Sequence, residues 1–500
     1  MDEKNYKNFF KGKKILMMGL GILGRGVNVA KFLAECGAEL TITDLKTEEQ
    51  LAPSLKKLKK FPNIKEKPFV LTSFGRHENK MLSQRSSFVK IKYVLGRHDL
   101  ADFSGKDMVI KAAGVSLDSI YIAEARKNKI PIEMDASLFA KLISTWTLNV
   151  QVVGITGTRG KSTVTHLIYE IIKEAFKKTN RKVYLGGNVK GLATLPLLKK
   201  VKTGDIVVME LDSWQLQGFG PTSLKLRGAS DESGLSPHIA VFTTFLPDHQ
   251  NYYKNDMDKY FSDKANIYRW QKENDWLVAG PKVSKFIKEK GGVSGKMAVA
   301  DKKNIPSGWK VKLLGEHNLQ NIALAIEATR KLGVKESAIK KAVESFKGLP
   351  GRLEFVKEIK GVKYYNDTTA TTPEAVMAAL DSLPPHRRAS KENRGKIILI
   401  GGGADKNLEY GKYAKVVKKY VKALILFRGL ASNKIISALG KTKFPVEIAD
   451  SMKKAMETAR ANAKKGDIVL LSPAAASFGV FKNEFDRGEQ FNKLVRMIKN

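Results

Sequence analysis

The stretch GITGTRGKST, residues 154–163, decides how this chain is expected to fold. It follows the apolar run VQVV and precedes a helical pattern, which is the strand–loop–helix context of a phosphate-binding loop. The sequence departs from the common phosphate-loop motif G-x-x-x-x-G-K-[ST], because Ile155 occupies the position of the first glycine. The context favours a nucleotide loop of unusual spacing, with an ordinary glycine turn as the alternative.

The residue types in this loop suit phosphate chemistry. Gly157 and Gly160 permit a tight turn whose N–H groups face inward. Lys161 is placed to reach the β- and γ-phosphates, and Ser162 or Thr163 to ligate Mg²⁺. The positive end of the following helix also faces the phosphates. We therefore predict a nucleoside triphosphate site here.

Two further stretches repeat the order of apolar run, glycines and helical pattern: KILMMGLGILGRG from Lys14 and KIILIGGGADK from Lys396. Three such openings predict three α/β domains, each with a largely parallel sheet. The expected domains are 1–147, 148–348 and 349–500, the last beginning at the turn in KGLPGRLE. Further strands are predicted at AELTITD, DMVIKAAG, DIVVMEL, HIAVFTTF, ALILF and DIVLLSP, helices at TVTHLIYEIIKEAFKK and LQNIALAIEATRKL, and a loop at SLPPHRRASKENRG.

The first of these stretches contains G-x-G-x-x-G at Gly19, Gly21 and Gly24, and Asp44 ends the next predicted strand. Glycines let the backbone approach a pyrophosphate, and a strand-end acid can hold a ribose hydroxyl. The pattern supports a nucleotide-type ligand, with a glycine turn that packs helix on strand as the alternative. A dehydrogenase is the obvious interpretation, but the other two domains speak against it.

Composition limits the classes of protein. The 500 residues include 43% hydrophobic residues and one cysteine, Cys36, so no internal disulfide forms and a reducing compartment is expected. The N-terminal residues MDEKNYKNFFKGKK do not resemble a signal peptide, and no run of 18 apolar residues suggests a membrane span.

The charge is unusual, because Lys+Arg 88 minus Asp+Glu 50 gives +38. A protein that binds nucleic acid or a membrane surface is one interpretation, and an enzyme with a lysine-rich surface and an anionic substrate is the other. Lysines are spread along the chain, as in LKKLKKF and VVKKYVK, without an aromatic-interleaved basic stripe. This distribution favours solvated helix faces.

Other polar residues follow predicted strands or precede helices. Glu210 ends DIVVME, where a metal-binding acid or a solvated acid is expected, and Asp248 and His249 follow another strand. Beside a phosphate loop, contact with metal or substrate is the favoured interpretation of this pair. Lys264 is by itself one lysine among many.

A second group of polar residues lies towards the third domain. Asn318 and Asn321 share a helix face and read an adenine or cap the helix. Arg352, after a Pro-Gly turn, suits a phosphate clamp. Asp367 lies in a hydroxyl-rich stretch before a helix, where capping is the alternative.

Together these motifs resemble the Mur ligases, ATP-dependent enzymes that add amino acids to peptidoglycan precursors. The resemblance runs from MGLGILGRG to LLSPAAASFGVFKNEFDRG and includes GITGTRGKST, MELDSWQLQGF, GEHNLQN and GLPGRLE. The family's loop is G-T-x-G-K-[ST], which accounts for the spacing. S-P-A-x-A-S followed by F-K-N is similar to the members that add D-glutamate. The resemblance implies Rossmann-like first and third domains around a central P-loop ATPase-type domain.

The resemblance also implies site residues. Those for ATP are Gly157, Thr158, Gly160, Lys161, Ser162, Thr163, His317, Asn318, Asn321, Arg352 and Asp367. Those for the UDP-linked substrate are Gly21, Ile22, Leu23, Asp44, Gly114, Asn188 and His249. Those for the amino acid are Thr371, Lys406, Ser477 and Phe478. Those for two Mg²⁺ ions are Ser162, Glu210, His249 and Lys264, the last as a carbamate. Catalytic roles are implied for Lys161, Lys264, His249 and Arg352.

The implied reaction joins D-glutamate to UDP-N-acetylmuramoyl-L-alanine through an acyl phosphate formed from ATP. The implied protein is a cytoplasmic monomer without a membrane span or a specific nucleic-acid partner. Rivals are sibling ligases that add another amino acid and a basic nucleic-acid-binding protein with a relic ATPase fold. The sibling that adds L-alanine favours His where this chain has Arg159, and the D-N-P-R motif of another sibling is absent.

The chain departs from the family pattern at five positions: Arg159, Asp212, Trp214, Thr369 and Glu484. Arg159 either adds charge near the phosphates or binds a neighbouring acid such as Asp212. Glu484 stands where the amino-acid pocket often has Phe, and an acid there would repel a dicarboxylic substrate unless it points away.

Overall fold

The computed structural model describes residues 3–60, 64–66, 89–146, 149–221, 224, 234–383 and 396–498. The chain divides into two compact units. The first consists of Met1–Ser307 with Gln320–Val343, and the second of Gly308–Leu319 with Glu344–Asn500. The predicted boundary near 147 falls at residues outside the described part, and the predicted loop at 382–395 lies outside it from residue 384 onward.

The first sheet has six parallel strands in the order β3-β4-β2-β1-β5-β6. Its strands are β1 (Lys14–Met18), β2 (Glu39–Asp44), β3 (Ile64–Glu66), β4 (Val89–Leu95), β5 (Met108–Lys111) and β6 (Ile132–Glu133). The accompanying helices are α1 (Glu3–Phe10), α2 (Arg25–Glu35), α3 (Glu48–Lys59), α4 (Ile120–Lys127) and α5 (Asp135–Thr145).

The second sheet is also parallel, in the order β12-β11-β10-β7-β9-β8. Its strands are β7 (Gln151–Thr156), β8 (Val183–Gly187), β9 (Ile206–Glu210), β10 (Ile239–Phe242), β11 (Trp276–Ala279) and β12 (Lys296–Val299). The helices that follow in sequence are α6 (Lys161–Ala175), α7 (Ser213–Leu216), α8 (Gln250–Tyr253), α9 (Met257–Ala265), α10 (Pro281–Glu289), α11 (Glu316–Lys331) and α12 (Glu336–Ser345).

The third sheet has the order β13-β14-β18-β15-β16-β17, and only its edge pair β13–β14 is antiparallel. Its strands are β13 (Glu354–Ile359), β14 (Val362–Asn366), β15 (Ile397–Gly402), β16 (Val421–Phe427), β17 (Val446–Ala449) and β18 (Ile468–Leu471). Its helices are α13 (Pro373–Ser382), α14 (Gly411–Tyr420), α15 (Leu430–Leu439), α16 (Met452–Asn462) and α17 (Glu484–Met497).

The three glycine stretches all leave central strands. The strand β1 lies between β2 and β5, β7 lies between β9 and β10, and β15 lies between β16 and β18. Each is the strand at which the order of connection reverses, and open α/β sheets bind ligands at the carboxyl ends of such strands. Every residue of β9 and β15 is buried, as expected of parallel strands covered on both faces. The predicted α/β class is confirmed.

Each unit has its own buried hydrophobic clusters. One large cluster in the first unit includes residues from both of its sheets, among them Phe10, Phe32, Phe139 and Phe242, all fully buried. In the second unit one apolar cluster lies on each face of the third sheet. Among the described residues, no helix combines the length and apolarity needed to cross a membrane.

Candidate active site

The loop after β7 is shaped by two threonines at the end of β10. The N–H of Thr158 donates to the carbonyl of Thr244 (2.7 Å), and the N–H of Arg159 donates to Thr244 Oγ1 (2.8 Å). Gly157 has φ 133°, and a Cβ there would lie 2.1 Å from Thr243 Oγ1, so only glycine fits. The loop then enters α6 at Lys161, which directs the positive end of that helix towards it.

Two lysines from different helices meet at this loop. Lys161 Nζ donates to the carbonyl of Gly157 at 2.9 Å, and Lys264 Nζ donates to the same oxygen at 3.0 Å. Lys264 is 1% exposed and also lies over the ring of Tyr260, 4.8 Å from its centroid. Burial, reinforced by the charge of Lys161, holds the pKa of Lys264 well below its usual value. The local sequence does not distinguish this lysine from the others, and only the family resemblance singled it out.

Two of the residues predicted to bind metal belong to the strands on either side of β7: Glu210 ends β9, and His249 lies in the segment after β10. Glu210 is buried at the end of β9, opposite Ile155 of β7, and its carbonyl accepts the N–H of Asn188 (2.6 Å). His249 has a left-handed backbone (φ 54°), and its ring centroid lies 4.6 Å from that of Trp214. Burial lowers the pKa of His249, which favours the neutral imidazole that metals require.

In the described part of the chain no three His, Cys, Asp or Glu side chains are grouped to hold a metal ion. The predicted set differs in kind, since it combines the hydroxyl of Ser162, one carboxylate, one imidazole and a modified lysine. Its roles in metal binding stay predictions.

The structure clarifies two departures from the family pattern. Arg159 Nη2 lies 3.8 Å from the carboxylate of Asp248, and both side chains are partly exposed. Asp212, suggested above as a partner of Arg159, instead caps α7: its carboxylate accepts the N–H of Gln215 at 2.8 Å, and the Gln215 side chain reaches back to its N–H. Aspartate is a strong N-cap, so its presence there is explained by helix capping.

At the first glycine loop, Asp44 binds the loop itself. Its carboxylate accepts the N–H groups of Leu20 (2.9 Å), Gly21 (3.0 Å) and Lys46 (3.0 Å), and the residue is 5% exposed. In this geometry two of the loop's N–H groups are satisfied by Asp44. The neighbouring Ile22 and Leu23 are 50% and 58% exposed, which leaves an apolar surface at the loop. Such a surface suits the face of a nucleobase.

Two basic residues that sequence reasoning missed stabilise the predicted substrate residues Asn188 and Gly114. Arg25, the first residue of α2, donates from Nη2 to Asn188 Oδ1 (3.1 Å) and from Nε to the carbonyl of Leu192 (3.1 Å). Lys111 is 2% exposed, and its Nζ donates to the carbonyls on either side of Gly114, at 3.5 and 3.0 Å. Burial lowers the pKa of Lys111 to about 8. The position of Arg25, directly after the glycine motif, was the only available signal.

The residues predicted to bind ATP are divided between the units. Gly157–Thr163 and Asn321 belong to the first unit, and Asn321 lies against Gly160. His317 and Asn318 belong to the second unit, with Arg352 and Asp367. Asn318 Nδ2 donates to the carbonyl of Leu314 (2.7 Å), a contact within its own segment.

Asp367, directly after β14, is buried in the second unit. Its carboxylate accepts the N–H of Leu353 (3.0 Å) and the hydroxyl of Ser472 (2.8 Å). Burial raises the pKa of Asp367 to about 7, although these hydrogen bonds and Arg352 oppose the shift. Thr369, another departure, donates to the carbonyl of Gly351 (2.9 Å) and so joins the turn before β13 to this loop.

The predicted amino-acid residues lie on three loops that the structure brings together. Lys406 Nζ donates to Thr371 Oγ1 at 2.9 Å. The N–H of Ala474 donates to the carbonyl of Ala370 (2.9 Å), and Ala404 pairs with Ala476 in an isolated bridge. These contacts bring the loop that carries Ser477 and Phe478 beside the other two. Ser477 is buried and Phe478 is 65% exposed.

Two family models match successive parts of this chain. Residues 155–291 match the Mur ligase middle domain, and residues 351–475 match the glutamate ligase domain of Mur ligases. A UDP-N-acetylmuramoylalanine–D-glutamate ligase from Roseiflexus sp. (strain RS-1) is 34% identical over 97% of this chain and 98% of its own length. The chain belongs to the Mur ligase family.

Other relatives of this Mur ligase bear the same name. Those from Borreliella afzelii (strain PKo) and Clostridium acetobutylicum are 32% and 31% identical, over 98% and 100% of the chain and 98% and 99% of their own lengths. Among solved structures, the UDP-N-acetylmuramate-alanine ligase MurC of Thermotoga maritima aligns with a TM-score of 0.56 at 19% identity, over 97% of this chain and all of that one. At this identity the structural likeness establishes the fold alone.

Proposed function

We propose that this Mur ligase joins D-glutamate to UDP-N-acetylmuramoyl-L-alanine and couples amide formation to ATP cleavage in peptidoglycan precursor synthesis. The observation that carries the proposal is the likeness, over nearly its whole length, to ligases named for this reaction, at 31–34% identity. The lysine-lined loop after β7 supports ATP as the phosphoryl donor, because it offers positive charge where phosphate oxygens need it.

In the first step, a carboxylate oxygen of the UDP-linked substrate attacks the γ-phosphorus of ATP. The bond from that phosphorus to the β–γ bridging oxygen breaks, giving an acyl phosphate and ADP. The contribution of the chain is alignment and charge, since phosphoryl transfer of this kind needs no protein nucleophile. Lys161 supports this role because its ammonium already lies at the loop. The role of Arg352 in the second unit stays a prediction.

The donor set fits a magnesium site. Glu210 supplies a buried carboxylate and Ser162 a hydroxyl at the start of α6, both oxygen ligands that Mg²⁺ prefers. Lys264 fits if its neutral amine adds CO₂ and loses a proton to give an anionic carbamate, and its lowered pKa makes that neutral amine available. Two Mg²⁺ ions held among Ser162, Glu210, His249 and Lys264 would supply charge neutralisation of the phosphates.

In the second step, the amine of D-glutamate attacks the acyl carbon. A tetrahedral intermediate collapses, inorganic phosphate leaves, and the amine loses a proton. Thr371, Lys406 and Ser477 support binding of the amino acid, because a cation and two hydroxyl groups from adjoining loops suit its carboxylates. The cytoplasm is the proposed location, supported by the nucleotide substrates and the single buried cysteine, and a monomer is the proposed state.

A phosphate-release assay tests the function. Purified protein is mixed with ATP, Mg²⁺ and UDP-N-acetylmuramoyl-L-alanine, and D-glutamate, L-alanine, L-lysine and meso-diaminopimelate are added singly. We expect release with D-glutamate alone. Release with another amino acid would replace the proposed substrate, and no release with any of them would overturn the ligase assignment for these substrates.

The carbamate has its own test. We expect Lys264→Ala to lose most activity and to regain part of it when formate or acetate is added as a substitute oxygen ligand. A readout independent of turnover is mass spectrometry of the protein without substitutions: it is incubated with ¹³CO₂, the carbamate is trapped chemically, and the labelled group is sought on Lys264. Full activity of Lys264→Ala would remove the carbamate from the proposal.

A further inference from the structure

A fully buried arginine in the second unit has no role in the mechanism above. Arg487, in the first turn of α17, is 0% exposed and is among the largest fully buried side chains. In the described part of the chain no carboxylate oxygen lies within 4 Å of its guanidinium. Burying a charge without a counter-ion is costly, so its retention requires strong contacts or a charged ligand.

The contacts of Arg487 join two of the loops that carry the predicted amino-acid residues. Its Nε donates to Thr368 Oγ1 (3.1 Å) and its Nη2 to the carbonyl of Thr368 (2.9 Å). Its Nη1 donates to the carbonyl of Ala475 at 3.4 Å. Thr368 precedes Thr371 by three residues, and Ala475 precedes Ser477 by two, so the guanidinium contacts both loops close to the predicted amino-acid residues.

The same contacts connect the loops to the start of α17. Thr368 Oγ1, which accepts from Arg487, donates in turn to the carbonyl of Glu484 at 2.8 Å. Asn483 caps the helix by accepting the N–H groups of Phe485 and Asp486, both at 3.0 Å. The helix start is therefore fixed from two sides, and Arg487 connects it to the loop at 368–371.

The charge of Arg487 bears on the acid at position 484. Glu484, half-buried at the positive end of α17, is favourably placed for the helix dipole but would repel an incoming carboxylate. Burial lowers the pKa of Arg487 to about 10, with Glu484 opposing, so the guanidinium stays charged at neutral pH. A buried cation is screened less than an exposed one and acts over a longer range.

We propose that Arg487 is a positioning residue of the amino-acid pocket: it holds the loops at 368–371 and 475–478 together, and its buried charge favours an amino acid with a side-chain carboxylate over the corresponding amide. The inference rests on the proposed function, since it assigns the amino acid to these loops.

Kinetics of Arg487 variants with D-glutamate and D-glutamine, as substrates or competing inhibitors, test the proposal. We expect Arg487→Met to raise KM for D-glutamate about tenfold and to reduce the preference for D-glutamate over D-glutamine about fivefold. The KM values for ATP and the UDP-linked substrate should stay within about twofold. Arg487→Lys should keep the preference, and Arg460→Met, an exposed arginine on α16, is the matched control.

If Arg487 had only a structural role, its loss would raise KM for D-glutamate and D-glutamine by the same factor. An unchanged preference for D-glutamate in Arg487→Met therefore overturns the proposal. If that variant does not fold, Arg487→Lys must keep the preference and Arg487→Gln, which retains hydrogen-bond donors without the charge, must reduce it. Either failure is decisive. If the protein without substitutions does not turn over D-glutamate, the proposed function is wrong. The Arg487 variants are then compared on the acidic amino acid that the protein uses best and on the corresponding amide.

Discussion

The two glycine loops of the first unit begin their helices in nearly the same way. Gly24, before α2, has φ 90° and ψ −14°, and Gly160, before α6, has φ 89° and ψ −15°. Both loops follow the central strand of a parallel sheet. The backbone therefore offers the same opening, a helix N-terminus at a topological switch point, in both domains.

The side chains that face the loops have opposite charge. In the first loop the carboxylate of Asp44 accepts two loop N–H groups. In the second, Lys161 and Lys264 both donate to the carbonyl of Gly157. An acid in the first loop disfavours a triphosphate there and suits a ligand held by its sugar and base. The comparison shows that one backbone geometry can carry opposite neighbouring charges, and we expect those charges to select the ligand.

The largest effect is expected at the second loop. Lys161→Met keeps the length of the side chain and removes the charge, so we expect kcat/KM for ATP to fall on the order of 10³-fold. Lys173→Met, an exposed lysine on the same helix, should retain normal activity. Initial rates of phosphate release measure both. A Lys161→Met protein with more than a third of normal kcat/KM would show that the charge contrast does not select ATP.

The second unit contains a strand-end acid that contrasts with Asp44. Asp367 has a pKa of about 7 because burial outweighs its two hydrogen bonds. The folded state therefore binds more protons than the unfolded state between about pH 4 and pH 7, and stability falls as the pH rises through this window. Asp367→Asn removes this dependence, so at pH 8 the variant should be more stable by roughly 2–4 kcal/mol.

Urea denaturation followed by circular dichroism, from pH 4.5 to pH 8, measures this difference. The two proteins should have similar stability at the acid end and diverge as the pH rises. Asp450→Asn, an exposed acid in the same unit, is the control and should follow the unmodified protein throughout. A constant difference across the range would mean that Asp367 is already ionised at pH 4.5.

Much of the fold was accessible from sequence because the signals are local. Apolar runs followed by glycines predicted the central strands β1, β7 and β15, and each carries its glycine stretch at the expected edge. Strand order was not accessible, since pairing joins segments far apart in sequence. The antiparallel edge pair β13–β14 was also missed, because EFVKEI and VKYYN mix apolar with charged residues and contain no continuous apolar run of the kind that marked the central strands.

The candidate site was accessible only in part, for the same reason. Lys161 follows a glycine motif, whereas nothing near Lys264 in sequence indicates that its amine is buried against Gly157. Arg487 gave no signal, because the carbonyl of Ala475 that it contacts lies on another loop. Burial and convergence are tertiary properties, and a single sequence does not contain them explicitly.

A smaller effect is expected at the first loop. Asp44→Asn replaces one acceptor oxygen with a donor. Either the N–H groups of Leu20 and Gly21, which share Oδ2, or the N–H of Lys46 at Oδ1 then lose their acceptor, at a cost of about 1–3 kcal/mol for each group. We expect KM for the UDP-linked substrate to rise about tenfold while KM for ATP is unchanged. Asp107→Asn, an exposed acid that accepts the N–H of Lys14 at the opposite end of β1, is the matched control. A parallel rise in KM for ATP would contradict the separation of the two loops.

The smallest effect is expected for Arg159, which places a third positive charge near the second loop. Its guanidinium lies 3.8 Å from the Asp248 carboxylate, and the two side chains are 46% and 29% exposed. A solvent-screened pair of this kind contributes less than about 1 kcal/mol. Arg159→Asn should therefore change KM for ATP about twofold at low salt and not measurably at 0.5 M salt, because screening removes what the charge adds. A change of tenfold or more that persists in high salt would mean that Arg159 contacts the nucleotide directly, and the charge selecting ATP would then extend beyond Lys161 and Lys264.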